Sequence, residues 1–334
     1  MKKILLISTG GTIASTPTEN GLTPTVSGAD MVRLIPELEG LCEIRYTELL
    51  NLDSSNMQPE EWAAMASAVF TALSIYDGVV ITHGTDTMAY SAAALSFMLQ
   101  NLNKPVILTG SQLPIEDENT DGKRNILNAF RTAVDGRLCG VYIVFDGSII
   151  PGISAKKTCS RNFHAFESIN RKPAGEIAED GTVVLYAEPK APAFLKPLTL
   201  NANYDASVLL IRLTPGTRPE LLEAAGTLGY RAVVIEAFGL GGIPNVRRNL
   251  LPSIHKLISQ RIPVVVTTQC VYDGCDLSVY DVGVDAAKAG VLSAGNMTTE
   301  AIVAKLMWIL GQTDDFEQTT SLFSRDFIGE FNRI

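Results

Sequence analysis

Short apolar runs alternate with amphipathic segments of helical length along most of this chain, and this alternation constrains its fold more than any other feature. The runs include ILLIS at 4–8, GVVIT at 78–82 and PVILTG at 105–110. In the segments between them, apolar residues recur every three or four positions, as on one face of a helix. Alternating strands and helices predict βαβ units and a mostly parallel sheet, and strands without polar alternation are typical of a sheet covered on both faces.

The alternation weakens after residue 170 and resumes at VLLIRL, residues 208–213. The stretch between them holds a short predicted hairpin followed by prolines and turn residues. A chain of 334 residues is also long for one hydrophobic core. We therefore predict two α/β domains joined by a linker at 188–206. Residues 1–187 would form a larger, mostly parallel sheet flanked by helices, and residues 207–334 a smaller, flavodoxin-like parallel sheet.

Composition and charge narrow the partners that such a chain would bind. Its net charge is −9 and its pI is about 5.0, so its surface repels phosphate backbones and anionic lipids. We expect neither nucleic acid nor membrane as a partner. The five cysteines are scattered and odd in number, which is not typical of a disulfide framework and favours a reducing compartment. Only four apolar residues separate Lys3 from Ser8, too few for a signal-peptide core, and we predict a cytoplasmic protein.

Hydroxyl and carboxyl side chains cluster where the predicted strands end. Ligands of open α/β sheets bind outside the carboxyl ends of the strands. The polar side chains at these ends are Thr9, Thr12, Thr82, Thr85, Asp86, Thr109 and Ser111. Neighbouring glycines allow backbone N–H groups to approach a ligand, and the helix after HGTDT would direct its N-terminus to the same place, which favours an anion. Taken alone, each hydroxyl is better explained as a helix cap or a turn residue, whereas two Gly-Thr strand ends beside an acid favour a ligand site.

The motifs of several other catalytic and nucleotide-binding sites are absent from the sequence. The glycine-rich turns STGGTIAS and FGLGGIPN lack the G-x-G-x-x-G spacing of dinucleotide sites, and neither a P-loop nor a G-x-S-x-G turn occurs. The histidines, which are His83, His164 and His255, are not at zinc-ligand spacing, and we expect no metal site. We interpret His83, which directly follows a strand, as a packed and hydrogen-bonded histidine.

A threonine nucleophile would need a base, because its hydroxyl is a weak nucleophile when protonated. Histidines are scarce here, so a lysine that relays a proton from Thr85 beside Asp86 is the natural substitute. The segment SAKKTCSRNFHAF offers Lys156 and Lys157, and spacing alone does not choose between them.

Four motifs together closely resemble the L-asparaginase family, in particular its cytoplasmic, type I-like bacterial and archaeal branch. They are TGGTIAS, NLDSSNMQPEEW, ITHGTDTMAYSAAALSFML and VILTGSQLP, and the resemblance continues to NMTTEAIVAKLMW near the C-terminus. It implies hydrolysis of L-asparagine to L-aspartate and ammonia, without cofactor or metal. It also implies a homodimer or homotetramer whose active site is completed across a pair of subunits.

The resemblance also implies roles for individual residues. Thr12 in TGGTIA would be the nucleophile that attacks the side-chain amide carbon. Thr85 in HGTDT would form a triad with Asp86 and Lys157, where aligning on the AF pair of HAFESIN selects Lys157 over Lys156. We also expect the Gly11–Thr12 and Thr85–Asp86 peptides to stabilise the oxyanion. The further expected substrate-binding residues are Gly11, Asp53, Ser54, Ser55, Gly84 and Ser111.

Two positions depart from the family pattern. Members usually carry a tyrosine in the loop after TGGTIA, and the matching residue here is Leu22. We hypothesise that Glu19, in the same loop, assists Thr12 instead. The residue before the triad lysine is commonly smaller and uncharged, whereas here it is Lys156.

Two other functions remain open alternatives at the level of sequence. The amidase subunit of a tRNA-dependent amidotransferase resembles this family, but it normally carries an extra N-terminal domain, and the first predicted strand here begins at Ile4. An amino-acid-binding sensor without turnover is supported only by Leu22. The retention of all four expected catalytic residues argues against a sensor; these are Thr12, Thr85, Asp86 and Lys157.

Overall fold

The computed structural model describes residues 1–18, 21–187 and 196–331. The chain divides into two compact units. The first unit comprises Met1–Ser168 and Lys172–Ala202, and the second comprises Ile169–Arg171 and Asn203–Ile334. Each unit combines a parallel sheet with helices, so the predicted fold class is confirmed.

The first unit begins with a long strand, and four α-helices are interspersed among its strands up to residue 145. Its strands are β1 Lys3–Gly10, β2 Ser15–Thr18, β3 Gly21–Pro24, β4 Glu43–Leu52, β5 Gly78–Thr82, β6 Leu99–Gln100, β7 Pro105–Thr109, β8 Gly140–Phe145, β9 Ser148–Pro151, β10 Ala155–Lys157, β11 Phe166–Ser168, β12 Gly175–Ile177, β13 Val183–Leu185 and β14 Thr199–Leu200. Its α-helices are α1 Gly28–Arg33, α2 Pro59–Ala72, α3 Met88–Met98 and α4 Gly122–Asp135. Single 3₁₀ turns occupy Thr12–Ala14, Pro36–Leu38 and Ser54–Asn56.

Eight of these strands form one sheet in the order β13-β12-β9-β8-β7-β5-β1-β4. The pairings from β8 to β4 are all parallel. The strands β9, β12 and β13 extend the sheet through antiparallel pairs, and β12 with β13 is the predicted hairpin. Because parallel strands end on the same side, the carboxyl ends of β7, β5, β1 and β4 lie next to one another along one edge of the sheet.

Both faces of the central strands are buried. Helix α4 packs across β5, β7 and β8, and its Ile126 and Phe130 share a buried cluster with Leu6, Val80 and Ile107. The alternate residues of β5 and β7 are also buried, and α3 packs on β7 and β8. Burial on both faces explains why these strands show no polar alternation in the sequence.

The second unit is a smaller α/β structure. Its strands, all parallel and in sequential order in the sheet, are β15 Val208–Arg212, β16 Ala232–Ala237, β17 Val264–Thr268 and β18 Leu292–Ser293. Its helices are α5 Pro219–Thr227, α6 Leu251–Ser259, α7 Asp281–Lys288, α8 Thr299–Leu310 and α9 Phe316–Phe323. In the part of the chain that the structure describes, no helix has both the length and the apolar character needed to cross a bilayer.

A buried lysine anchors the last described segment of the second unit. The side chains of Lys305, on α8, and Glu330 are fully buried, and their Nζ and Oε1 atoms lie 2.6 Å apart. Lys305 Nζ also donates hydrogen bonds to the carbonyl oxygens of Phe323 and Arg325, at 2.8 and 2.7 Å. Burial lowers the pKa of Lys305, and the charge of Glu330 opposes that shift. A charge so far from water requires a partner, so Glu330 ties the segment to α8.

Candidate active site

Four neighbouring strand ends bring the predicted site residues to one edge of the large sheet. Thr12 follows β1, Ser54 follows β4, Thr85 follows β5 and Ser111 follows β7. These four strands are adjacent in the sheet, in the order β7-β5-β1-β4. The topology therefore gathers turns that lie far apart in the sequence, as expected for a ligand site of an α/β sheet.

The turns after β1 and β5 touch through two glycines. Gly11 has a φ of +81° and donates its N–H to the carbonyl oxygen of Leu52 at 2.9 Å. A Cβ atom on Gly11 would lie 2.4 Å from both Cα and N of Gly84. A Cβ atom on Gly84 would lie 2.6 Å from Ser54 Oγ. Only glycine fits at either position, because a side chain there would push the hydroxyl-bearing turns apart.

Thr12 begins the 3₁₀ turn after Gly11 and is half-buried. Its hydroxyl makes no hydrogen bond with the residues that the structure describes. The turn itself is held by the Ser15 hydroxyl, which donates to the carbonyl oxygen of Gly11 at 2.9 Å. A half-buried hydroxyl on a fixed turn, with no partner among the described residues, is well placed to react with a bound substrate.

Lys157 connects the second threonine with its neighbouring acid. Lys157 Nζ lies 2.7 Å from Thr85 Oγ1 and 2.7 Å from Asp86 Oδ1. Thr85 is buried, whereas the Asp86 side chain is 59% exposed and so remains open to a ligand. Lys157 ends β10, which pairs antiparallel with β11. Successive side chains of a strand point to opposite faces, so the strand that directs Lys157 towards Thr85 directs Lys156 the other way.

Ser54 stabilises the turn after β5 through two hydrogen bonds. Its hydroxyl oxygen accepts the N–H of Asp86 at 3.2 Å, and its carbonyl oxygen accepts the Thr87 hydroxyl at 2.8 Å. Asp53 accepts the N–H of Ser55 at 2.8 Å, and both of these residues are exposed. The Asp86 N–H, one of the expected oxyanion donors, is therefore already bonded to Ser54. Among the residues that the structure describes, the Ser54 hydroxyl proton has no acceptor, so it is available to bind an anion.

The turn after β7 depends on an acid that sequence reasoning missed. The carboxylate of Asp121, which is buried, accepts the N–H groups of Gln112 and Leu113 at 3.0 and 3.2 Å. Ser111 is buried, and its hydroxyl donates to the carbonyl oxygen of Leu113. The Gln112 side chain, also missed, approaches the Thr85 hydroxyl at 3.5 Å. Gln112 lies within the quoted TGSQLP motif, but no local signal marks Asp121.

His83 is buried beneath this edge of the sheet, and its neutral ring adds no charge to the site. It is fully buried, and burial lowers its pKa to about 4, although the hydrogen bond with Gly84 opposes the shift. Its Nδ1 lies 2.7 Å from the carbonyl oxygen of Gly84, and its Nε2 lies 2.9 Å from Ser91 Oγ. This is the packed, hydrogen-bonded histidine that the sequence indicated.

The loop that carries the departure from the family pattern is a hairpin of β2 and β3. The backbone of Leu22 pairs with that of Pro17. Glu19, proposed above to assist Thr12, lies outside the described residues. Within residues 1–18, 21–187 and 196–331, no group of three or more His, Cys, Asp or Glu residues could hold a metal ion.

Two family models match the chain in succession. They are "Asparaginase, N-terminal" over residues 3–191 and "Glutaminase/Asparaginase C-terminal domain" over residues 207–323. The chain is 43% identical over 329 residues to an L-asparaginase of Thermococcus kodakarensis, covering 98% of each chain.

A solved structure and a longer relative give a consistent comparison. The structure of the thermostable L-asparaginase from Thermococcus kodakarensis superposes with a TM-score of 0.93 and 41% identity, covering 99% of this chain and 100% of that one. A glutamyl-tRNA(Gln) amidotransferase component from Pyrococcus abyssi is 32% identical over 340 residues, which covers 99% of this chain and 77% of the relative.

Proposed function

This chain belongs to the asparaginase family of amidohydrolases, and we propose that it hydrolyses L-asparagine to L-aspartate and ammonia with Thr12 as nucleophile. The observation that carries the mechanism is the position of Lys157 Nζ, 2.7 Å from both Thr85 Oγ1 and Asp86 Oδ1. Thr85 and Asp86 follow β5, which is adjacent in the sheet to β1, the strand that precedes Thr12.

The reaction would proceed in two half-reactions through an ester on Thr12. Thr12 Oγ1 attacks the carboxamide carbon, the C–N bond breaks, and the nitrogen takes up a proton and leaves as ammonia. Water then attacks the ester carbon, the C–O bond breaks, and aspartate leaves while Thr12 regains its proton. Neither half-reaction requires a cofactor or a metal.

Thr85, Lys157 and Asp86 would move the protons that both half-reactions need. In its neutral form, Lys157 accepts the hydroxyl proton of Thr85, and Thr85 then accepts a proton from the attacking hydroxyl or water. Asp86 stabilises the ammonium form of Lys157 across 2.7 Å. An arginine could not replace Lys157 in this role, because its guanidinium does not release a proton.

The charged ends of asparagine match the groups around Thr12. We assign the substrate's α-ammonium to the exposed carboxylates of Asp53 and Asp86. We assign its α-carboxylate to the Ser54 hydroxyl proton, which is not used in the bond with the Asp86 N–H. The N–H groups of Thr12 and Thr85 would face the developing oxyanion. Ser111, after β7, would contact the scissile amide.

The alternatives are less well supported. The amidotransferase relative is 32% identical to this chain, against 43% for the L-asparaginase relative, and a net charge of −9 does not favour tRNA binding. A sensor without turnover would have no use for the contact between Lys157 and Thr85. We also propose that the enzyme acts as a homodimer or homotetramer.

Ammonia release tests the proposed activity. We expect turnover of L-asparagine by the parent and by Thr12→Ser, which keeps a hydroxyl, and none by Thr12→Ala. L-glutamine and buffer are the substrate controls. If the parent releases no ammonia but asparagine raises its melting temperature, the sensor is the better description. Release that requires a tRNA substrate would favour the amidotransferase function.

A further inference from the structure

A chain of hydrogen bonds runs from the interior of the first unit to the backbone of the candidate site. Trp62 Nε1 on α2 donates to Ser91 Oγ on α3 at 3.1 Å. Ser91 Oγ and His83 Nε2 are 2.9 Å apart, and His83 Nδ1 and the carbonyl oxygen of Gly84 are 2.7 Å apart. Trp62, Ser91 and His83 are all buried.

The direction of every bond in this chain is determined by chemistry. The Gly84 carbonyl only accepts, so His83 carries its proton on Nδ1. The neutral ring then has a lone pair on Nε2, which accepts the Ser91 hydroxyl proton. Ser91 Oγ in turn accepts the indole N–H of Trp62, which only donates. One tautomer of His83 satisfies all four groups, and the opposite tautomer would break the bond to Gly84.

The bond to Gly84 orients a peptide in the site. In a trans peptide, the C=O and N–H point in opposite directions, and the chain contains no cis peptide bond among its described residues. The Gly84 carbonyl points at the buried ring of His83, so the Thr85 N–H points away from it. In the part of the chain that the structure describes, this N–H makes no hydrogen bond.

We propose that His83 is a positioning residue, which fixes the Gly84–Thr85 peptide so that the Thr85 N–H is aimed at the oxyanion of the reaction. Ser91 and Trp62 act behind it by holding the ring in the required tautomer. His83 itself touches no substrate. This proposal rests on the proposed asparagine hydrolysis.

The test compares two substitutions of nearly the same shape. His83→Asn keeps an N–H donor at the position of Nδ1, and His83→Leu does not. We expect His83→Leu to lower kcat by about tenfold or more, because an oxyanion donor removed outright is worth roughly 10²–10³ in rate. KM and the affinity for the product L-aspartate should change little. His83→Asn should recover most of the lost kcat.

Substitutions of Ser91 and Trp62, which do not touch Gly84, keep the proposal testable if His83→Leu does not fold. Ser91→Ala removes the hydroxyl that donates to His83 Nε2. Trp62→Phe removes the indole N–H together with part of the ring. We expect kcat to fall more in Ser91→Ala than in Trp62→Phe, although the tryptophan substitution removes more volume. Assays are made well below the melting temperature of each variant.

The outcomes separate the inference from the activity on which it rests. An active parent with an equally active His83→Leu overturns the inference and leaves the activity standing. His83→Asn and His83→Leu variants that lose kcat and aspartate affinity equally also overturn it, because such a loss indicates general damage to the site. A parent that releases no ammonia overturns the proposed function instead.

Discussion

Gly84 approaches Ser54 so closely that a Cβ atom on Gly84 would lie 2.6 Å from Ser54 Oγ. Ser54 is buried, and its hydroxyl and carbonyl oxygens both accept hydrogen bonds from the turn after β5. Ser54 therefore cannot move away from an added Cβ atom without breaking these bonds. The contact sets the spacing between the turn that carries Thr85 and the turn that carries Ser54, which we propose to bind substrate.

We predict that Gly84→Ala inactivates the enzyme and lowers the free energy of unfolding by about 1–3 kcal/mol, as overpacking usually does. Displacing a reacting group by about 1 Å can cost roughly 100-fold in rate. Gly28→Ala is the matched control, because its Cβ would meet no atom closer than 3.4 Å. Ammonia release and thermal unfolding measure both effects. Parent-like activity in Gly84→Ala would show that this contact is not needed.

Lys157→Met should lower kcat by about 10²–10⁴-fold, the usual contribution of a positioned proton-transfer group. Lys157→Arg should be similarly impaired, because it keeps the charge but does not release a proton. Lys156→Met, one residue away, is the control and should keep most of the parent's kcat. If Lys157→Arg is as active as the parent, the lysine acts only through its charge.

Lys305→Met should destabilise the protein by about 3–5 kcal/mol, because it leaves the carboxylate of Glu330 buried without its partner. The double variant Lys305→Met/Glu330→Gln should recover part of that loss. Lys288→Met removes an exposed lysine whose Nζ lies 3.9 Å from Asp285, and it should change stability by no more than about 0.5 kcal/mol. Urea denaturation gives the three values. Equal effects of Lys305→Met and Lys288→Met would contradict the anchoring role.

His83 should make the folded protein less stable in mild acid. Its folded pKa is about 4 against an ordinary 6.5, because burial disfavours the charged ring. Between these values the unfolded chain binds a proton that the folded chain does not, so stability falls as pH falls from 6.5 to 4. At about 1.4 kcal/mol for each pKa unit, the full contribution is on the order of 3 kcal/mol. His83→Asn should flatten this part of the melting-temperature profile, and His255→Asn, at the surface, should retain the parent's slope.

The fold class was predictable because strand and helix periods alternate clearly in the sequence. GVVIT is β5, residues Gly78–Thr82, and its lack of alternating polar residues reflects burial on both faces. The antiparallel strands β9, β10 and β11 were not predicted. They are three or four residues long, too short for a periodic pattern, and their pairing depends on tertiary contacts.

The candidate site was predictable only in part, for a related reason. Thr12 and Thr85 follow recognisable strands, so their convergence follows from the topology of a parallel sheet. Spacing alone left both Lys156 and Lys157 open, because strand β10 decides which side chain faces Thr85. The bond from Trp62 reaches Ser91, 29 residues away, and the bonds from Asp121 close a loop back to Gln112 and Leu113. Nothing in the local sequence pattern indicates either of them.

The ester on Thr12 is the central claim of this account, and trapping it is the most direct test. L-asparagine is mixed with the parent and with Lys157→Met, the reaction is quenched in acid, and the peptides are analysed by mass spectrometry. We predict an aspartyl group on the Thr12-containing peptide of the parent and none on that of Thr12→Ala. In Lys157→Met, the ester accumulates further if loss of the lysine slows ester hydrolysis more than ester formation. An aspartyl group on Thr85, or turnover by Thr12→Ala at the parent's rate, would contradict the account.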